Sequence, residues 1–312
     1  VSAGTTAGAA ADAGSVAIER FEVTVGPFTF QARQCGPADG RPVILLHGVP
    51  QTSACWTAQL EALGAAGHHA VAFTQRGYSP GARIDDVAAF TMDQLAGDVL
   101  GVADALGIDR FDIVGHDAGA GVAWSLAGFH ADRVTTATIL SVPHPAAFAD
   151  AYRSSKADGD GGQHARSGYM RQINQLPRGQ MEEMFTANDG QVLRMMFAGL
   201  PEASVDEYVE VLGTPEAMRG VLDWYRAGAL PRKPGQPSGM SSDFPDIEIP
   251  TLYLWSDEDP AIGRAGAEMT AQHVTGSYRF VVCEGVDHWI QERVPDLVNQ
   301  ELLAHLAAHP VE

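Results

Sequence analysis

The chain is 312 residues long, with 20 Lys and Arg against 39 Asp and Glu, a formal net charge of −19 at pH 7. A surface that acidic repels phosphate backbones and anionic lipid headgroups, which argues against nucleic acid and membrane surfaces as partners. With 45% hydrophobic and 19% charged residues the composition is globular, and the length suits one large α/β domain carrying an insertion.

The first stretch, VSAGTTAGAAADAGSVA, has no basic segment and no Leu-rich centre. It reads as a mobile tail over 1–19 rather than a secretory signal, and a cytoplasmic location is expected. Phe21–Val25 and Phe28–Ala32 alternate around Gly26-Pro27, as an edge strand pair does. Pro42–Leu46 and Ala70–Thr74 are short apolar runs ending at His47-Gly48 and Gln75-Arg76-Gly77-Tyr78. Thr91 and Gln94 match a capping box, with Leu95, Val99, Val102 and Leu106 at helical spacing and Gly107 as the stop. Phe111–Val114 leads through Gly115 into the small-residue helix Ala120–Leu126, and Val134–Val142 is the next strand. Near the end come strands Thr251–Trp255 and Tyr278–Cys283. A final helix opens at Pro295 with Val298, Leu302 and Leu306 on one face.

Short apolar strands alternating with helices predict an α/β fold, a mostly parallel twisted sheet with helices on both faces. Residues 144–243 break that rhythm with helical patterns at Gln180–Phe185 and Ser204–Leu212, flanked by loose stretches at Ser154–Gln163 and Gly228–Ser242. They predict an inserted helical lid on a core formed by 20–143 and 244–312. Cys35, Cys55 and Cys283 have no CxxC spacing and read as inert thiols. No apolar run reaches the ~18–20 residues of a membrane span. The oligomeric state stays open, a homodimer being one expectation.

The chemistry centres on Gly115-His116-Asp117-Ala118-Gly119, between a strand and a helix of small residues. Glycines two residues either side of the apex suit a sharp strand-to-helix turn that thrusts the apex side chain above the sheet. The apex is Asp117, a carboxylate that needs no base to become a nucleophile. An N-cap aspartate is the competing reading. Trp255-Ser256-Asp257-Glu258-Asp259 follows one later strand, and Gly285-Val286-Asp287-His288-Trp289 follows the next. Nucleophile, acid, histidine is the chain order of a hydrolase triad, so His288 can reach the apex and Asp259 can orient it, with Asp257 left to cap a turn. After an earlier strand, His47-Gly48-Val49-Pro50 can aim the Val49 N–H at the point the Ala118 N–H also faces, as an oxyanion hole needs. Val49-Pro50 is a candidate cis peptide. No metal-ligand spacing is present in the sequence, and no cofactor is expected.

These segments resemble the α/β-hydrolase family and, within it, the epoxide hydrolases, from about Glu22 to His309. Arg76-Gly77-Tyr78-Ser79 and Leu222-Asp223-Trp224-Tyr225-Arg226 are similar to segments of those enzymes. The resemblance implies two ring-opening tyrosines in the lid, Tyr225 and Tyr169, with Tyr152 in reserve. It implies an ester on Asp117 that His288 and Asp259 help water to hydrolyse, with an epoxide as substrate and a vicinal diol as product. His116, Met170, Trp224 and Trp289 are expected at the substrate. One departure is Ala118, where these enzymes usually carry Trp. Haloalkane-type dehalogenases, an alternative using the same ester, need N–H donors for the halide that Val49 and Ala118 side chains lack. A non-catalytic ligand-binding protein is the other alternative, which has no use for an acid behind His288. Seven of nine methionines lie between Met170 and Met240, which with Ala118 favours a bulky apolar epoxide.

Overall fold

The computed structural model describes residues 17–157, 161–231 and 240–311. Most of the expected N-terminal tail and parts of both loose stretches lie outside them. The strands are β1 (Glu19–Val25), β2 (Phe28–Cys35), β3 (Pro42–Leu46), β4 (His69–Phe73), β5 (Phe111–His116), β6 (Val134–Leu140), β7 (Thr251–Ser256) and β8 (Tyr278–Cys283). They form one sheet in the order β1-β2-β4-β3-β5-β6-β7-β8. β1 and β2 pair antiparallel, as does β2 with β4, and every other neighbour is parallel. The parallel strands β4, β5 and β7 are buried along their whole length, which is why they read as unbroken apolar runs rather than alternating ones.

The helices outside the β6–β7 crossing are α1 (Thr57–Ala65), α2 (Met92–Ala105) and α3 (Ala118–Phe129), with α10 (Arg264–Met269), α11 (Ile290–Arg293) and α12 (Pro295–Ala308) towards the C-terminus. The crossover β3–α1–β4 steps one way along the sheet and β5–α3–β6 steps the other. Right-handed crossovers therefore put α1 and α3 on opposite faces. α12 packs on α1, burying Val298, Leu302 and Leu306, and α2 packs on α3. Thr91 stands at the N-cap of α2, but its side chain makes no capping hydrogen bond, so the expected box is not formed. β6 ends at Leu140, short of the expected Val142, because Ser141 turns the chain with φ 71°. All three cysteines are buried.

Between β6 and β7 the described residues form the helices α4 (Pro145–Ser154), α5 (Gln163–Arg166), α6 (Gly168–Gln175), α7 (Gln180–Met196), α8 (Glu202–Leu212) and α9 (Pro215–Gly228). Its two ends meet at His144. The Nδ1 atom accepts from Ala146 N–H at 3.3 Å and Nε2 faces the Pro245 carbonyl at 3.1 Å, while Ser241 N–H donates to the Pro145 carbonyl at 3.3 Å. Burial holds the His144 pKa down to about 4, so the ring is neutral at pH 7 and serves as acceptor on one side and donor on the other. α9 lies against the turn after β4. A Cβ on Gly220 would sit 2.7 Å from Gly77 Cα, and Trp224 Nε1–H donates to the Arg76 carbonyl at 2.9 Å.

Candidate active site

The sheet reverses its direction of winding between β3 and β5, and the crevice beyond their carboxyl ends is where open α/β sheets bind ligands. β5 ends at His116. Asp117 then takes φ 51° and ψ −120°, a conformation rare for a residue with a side chain, and α3 begins at Ala118. The flanking glycines are required by contact. A Cβ at Gly115 would lie 2.5 Å from the Gly119 carbonyl oxygen, and one at Gly119 would lie 2.4 Å from the Leu46 carbonyl oxygen. Gly119→Ala is expected to destabilise the protein by at least about 1–3 kcal/mol, because the obstacle is backbone that cannot repack; urea unfolding measures it. On the β3 side, a Cβ at Gly48 would meet Asp117 Cβ at 2.4 Å. This close approach lets the Val49 N–H donate to Asp117 Oδ1 at 2.7 Å, and the Val49-Pro50 bond is cis.

His288, after β8, sets Nε2 3.4 Å from Asp117 Oδ2 and Nδ1 2.8 Å from Asp259 Oδ2. The other Asp259 oxygen accepts the Ala261 and Ile262 N–H groups at 2.8 and 3.0 Å. Asp257 accepts the Gly285 N–H at 2.7 Å and is turned away as a loop cap. Burial by itself would push the His288 pKa down. The Asp259 charge, its hydrogen bonds to both carboxylates and the Asp117 charge override burial and raise it to about 10. Conversely, burial would raise both carboxylates, and His288 holds Asp117 and Asp259 below the ordinary range. In the resting state an imidazolium therefore lies between two carboxylates.

Tyr169 on α6 and Tyr225 on α9 meet edge-on, with ring centroids 5.6 Å apart. Both line a cavity of about 380 Å³ together with Asp117, His288, Val49 and Trp289. Burial, together with neighbouring groups including Asp117, pushes both phenols above their ordinary value, so they stay protonated. Tyr152 packs instead on His164, 4.9 Å between centroids. Trp289 lies in the wall, its Nε1–H committed to the Met196 carbonyl at 3.2 Å.

Three residues expected at the substrate do not line the cavity. Trp224 points to the opposite side of α9, against Tyr78 and the Arg76 carbonyl. The cavity face of α9 is Met218, Val221, Leu222 and Tyr225, at i, i+3, i+4 and i+7. Met170 is likewise one residue off the face that carries Tyr169 and Ile173. His116 lies behind His288, with Nε2 2.9 Å from the His288 carbonyl and Nδ1 facing Gln51 and Gln291 at 3.1 and 3.3 Å. Burial and the His288 charge hold its pKa down to about 4, so it supports the histidine loop as a neutral ring. Ala118 is half-buried and also outside the lining. Sequence reasoning missed Ser141, whose hydroxyl donates to Asp259 Oδ2 at 2.8 Å, and Gln51 and Gln291 beneath His116. Among the described residues no group of three or more His, Cys, Asp or Glu could hold a metal ion, and no helix is long and apolar enough to cross a membrane.

The family described as "Alpha/beta hydrolase family" matches residues 43–301. Epoxide hydrolase A of Mycobacterium tuberculosis is 32% identical over 298 residues, covering 86% of this chain and 91% of that protein. Epoxide hydrolase 2 of Caenorhabditis elegans is 30% identical, covering 85% of this chain and 73% of that protein. A solved structure described among novel epoxide hydrolases from metagenomes of hot environments is 27% identical, with a TM-score of 0.79 over 93% of this chain and 99% of its own. With the fold, the site geometry and these relatives in agreement, the chain belongs to the α/β-hydrolase family and, within it, to the epoxide hydrolases.

Proposed function

We propose that the protein opens an epoxide to a vicinal diol through an ester on Asp117, with residues 144–243 as a lid over a core of 20–143 and 244–312. The observation that carries this reading is that two phenols, Tyr169 and Tyr225, face the same cavity as the carboxylate of Asp117. Asp117 attacks an epoxide carbon from the side opposite the breaking C–O bond. A lid tyrosine gives its proton to the alkoxide as it forms. The ester removes the Asp117 charge, one of the two that keep His288 protonated, so the imidazolium releases its proton and restores the phenol. Neutral His288, oriented by Asp259, then takes a proton from water as water attacks the ester carbonyl. The Val49 and Ala118 N–H groups stabilise the tetrahedral oxyanion. Collapse expels the second diol oxygen, which takes the proton of the regenerated Asp117 carboxyl, and the resting state returns.

Apolar walls from Ile173, Phe185, Met196, Met218 and Leu222 favour a bulky apolar epoxide over a small polar one. A halide would find poor support, since the Trp289 N–H is already bonded to the Met196 carbonyl. The test is turnover on styrene-type, aliphatic and polycyclic epoxides beside a haloalkane panel. Diol formation without halide release is expected, and halide release without diol would overturn the reading.

The two half-reactions should separate with pH. Asp117 is held below the ordinary carboxylate range and stays ionised in mild acid, whereas His288 in the ester must be neutral to act as base. At about pH 5, rapid quenching is therefore expected to find ester building up after fast epoxide consumption, and at about pH 8 little ester. Equal loss of both steps in acid would contradict this assignment.

A further inference from the structure

The residue immediately after β6 is Ser141, and it is held more firmly than a turn residue needs to be. Its side chain is fully buried and its backbone adopts φ 71°. Its N–H donates to the Leu254 carbonyl at 2.9 Å, and its carbonyl accepts the Tyr253 hydroxyl at 2.7 Å. β7 thus fixes both backbone groups, and glycine would occupy this conformation with less strain. A residue kept in a sparsely populated conformation by its surroundings is a reason to ask what its side chain does. The Oγ lies 2.8 Å from Asp259 Oδ2 and 3.2 Å from His288 Nδ1. Asp259 Oδ2 therefore receives two donors, the imidazole and the hydroxyl, while Oδ1 receives two backbone N–H groups.

We propose that Ser141 is a positioning residue of the hydrolytic half-reaction, its hydroxyl fixing the rotation of the Asp259 carboxylate against His288 and dispersing part of the carboxylate charge. The proposal rests on the ester mechanism above. A carboxylate relieved of this donor would present more charge to His288 and make it a stronger base that holds its proton to higher pH. The other groups around the pair make their contacts to atoms other than the Ser141 hydroxyl. They are Asp117 beyond Nε2, the neutral His116 ring at 4.8 Å, and Arg166 on the Asp259 carbonyl at 2.6 Å. Asp287 is paired with Arg293, and the phenols of Tyr169 and Tyr253 complete the set.

The test compares Ser141→Gly, which suits the backbone, with Ser141→Ala, which lacks the hydroxyl but keeps the strain. In single turnovers with an epoxide that the wild type consumes, both variants are expected to form ester within about twofold of the wild-type rate. Both should hydrolyse it about ten- to a hundredfold more slowly, the range that one hydrogen bond to a charged group converts to. The acid limb of the hydrolysis step should move to higher pH equally in both, although the glycine variant melts higher than the alanine one. The low-field proton resonance of His288 Nδ1–H gives a readout without turnover, and its titration midpoint should rise. Ester hydrolysis and acid limb unchanged in Ser141→Gly would overturn the proposal while leaving the ester mechanism intact. Equal slowing of both half-reactions with no pH shift would overturn it in favour of a packing role. A wild type that forms no ester would overturn the mechanism and the proposal together.

Discussion

A His288→Gln variant is expected to stop halfway, consuming one epoxide per active site and then holding it as an ester on Asp117. Attack by a carboxylate needs no base, so the first half-reaction should survive. The second loses its general base, worth about 10²–10⁴-fold, and glutamine at 288 can still fill the space between the carboxylates. The ester should appear as a mass increase equal to the substrate on the peptide from Phe111 to Gly121. Asp117→Asn should give no adduct, because an amide is a far poorer nucleophile. Wild-type enzyme in excess, given one turnover in heavy-oxygen water, should release diol with light oxygen and carry the label on Asp117. Direct attack of water on the epoxide predicts the reverse, with label in the diol at once. Continuous consumption by His288→Gln, or an adduct on another residue, would remove Asp117 from its role and leave a strained turn without chemistry.

The second large effect concerns the two phenols. Replacing Tyr169 and Tyr225 together with Phe should nearly abolish ester formation while the fold stays intact, since both changes keep the edge-on ring packing at 5.6 Å. Each single change should slow the step by roughly ten- to several hundredfold, one hydrogen bond to a developing alkoxide being worth about 1.5–3 kcal/mol. The double effect should exceed either single effect because the surviving phenol still reaches the oxygen. Far-ultraviolet circular dichroism and the melting temperature serve as controls. Diol formation at the wild-type rate in the double variant would remove the tyrosines from the mechanism. It would also point to another acid in the cavity.

The inner strands β3, β4, β5 and β7 were legible because burial on both faces leaves continuous apolar runs. β3 and β8 match their predicted bounds, and α12 opens at the predicted Pro295. The chain order of Asp117, Asp259 and His288 was legible for a related reason, since residues just beyond strand ends must lie on one edge of a parallel sheet. What failed was rotation about helix axes. Trp224 and Met170 each stand next to a tyrosine that reaches the cavity, and one residue along a helix is a turn of roughly 100°. Counting i+3 and i+4 back from Tyr225 would have given Leu222, Val221 and Met218 instead. Ser141 left no signal at all. It lies inside the run Val134–Val142 that reads as strand, and only pairing with β7 reveals that the chain has already turned. His116 shares its strand end with Asp117, but which side it faces depends on Gln51 and Gln291, which are distant in sequence.

The meeting of the chain's two crossings at His144 bears on how this molecule could be rebuilt. Residues 145 and 241 already lie within one hydrogen bond of each other, so everything between them is, topologically, a long loop closed at its neck. The entropy of closing such a loop depends only weakly on its length, each doubling costing about 0.6 kcal/mol. The rest of the sheet therefore places little constraint on how many residues the crossing contains. A helical cassette exchanged at this neck is expected to keep Asp117, Asp259 and His288 in place only where it also reproduces the contacts of Arg166 with the Asp259 carbonyl, Met196 with Trp289 and Trp224 with the Arg76 carbonyl. On the proposed mechanism the crossing carries both phenols and much of the apolar wall, while the core carries the nucleophile, the acid and the histidine. Recombination between relatives at these two points is therefore expected to shuffle selectivity together with the ring-opening acids and to inherit the hydrolytic groups.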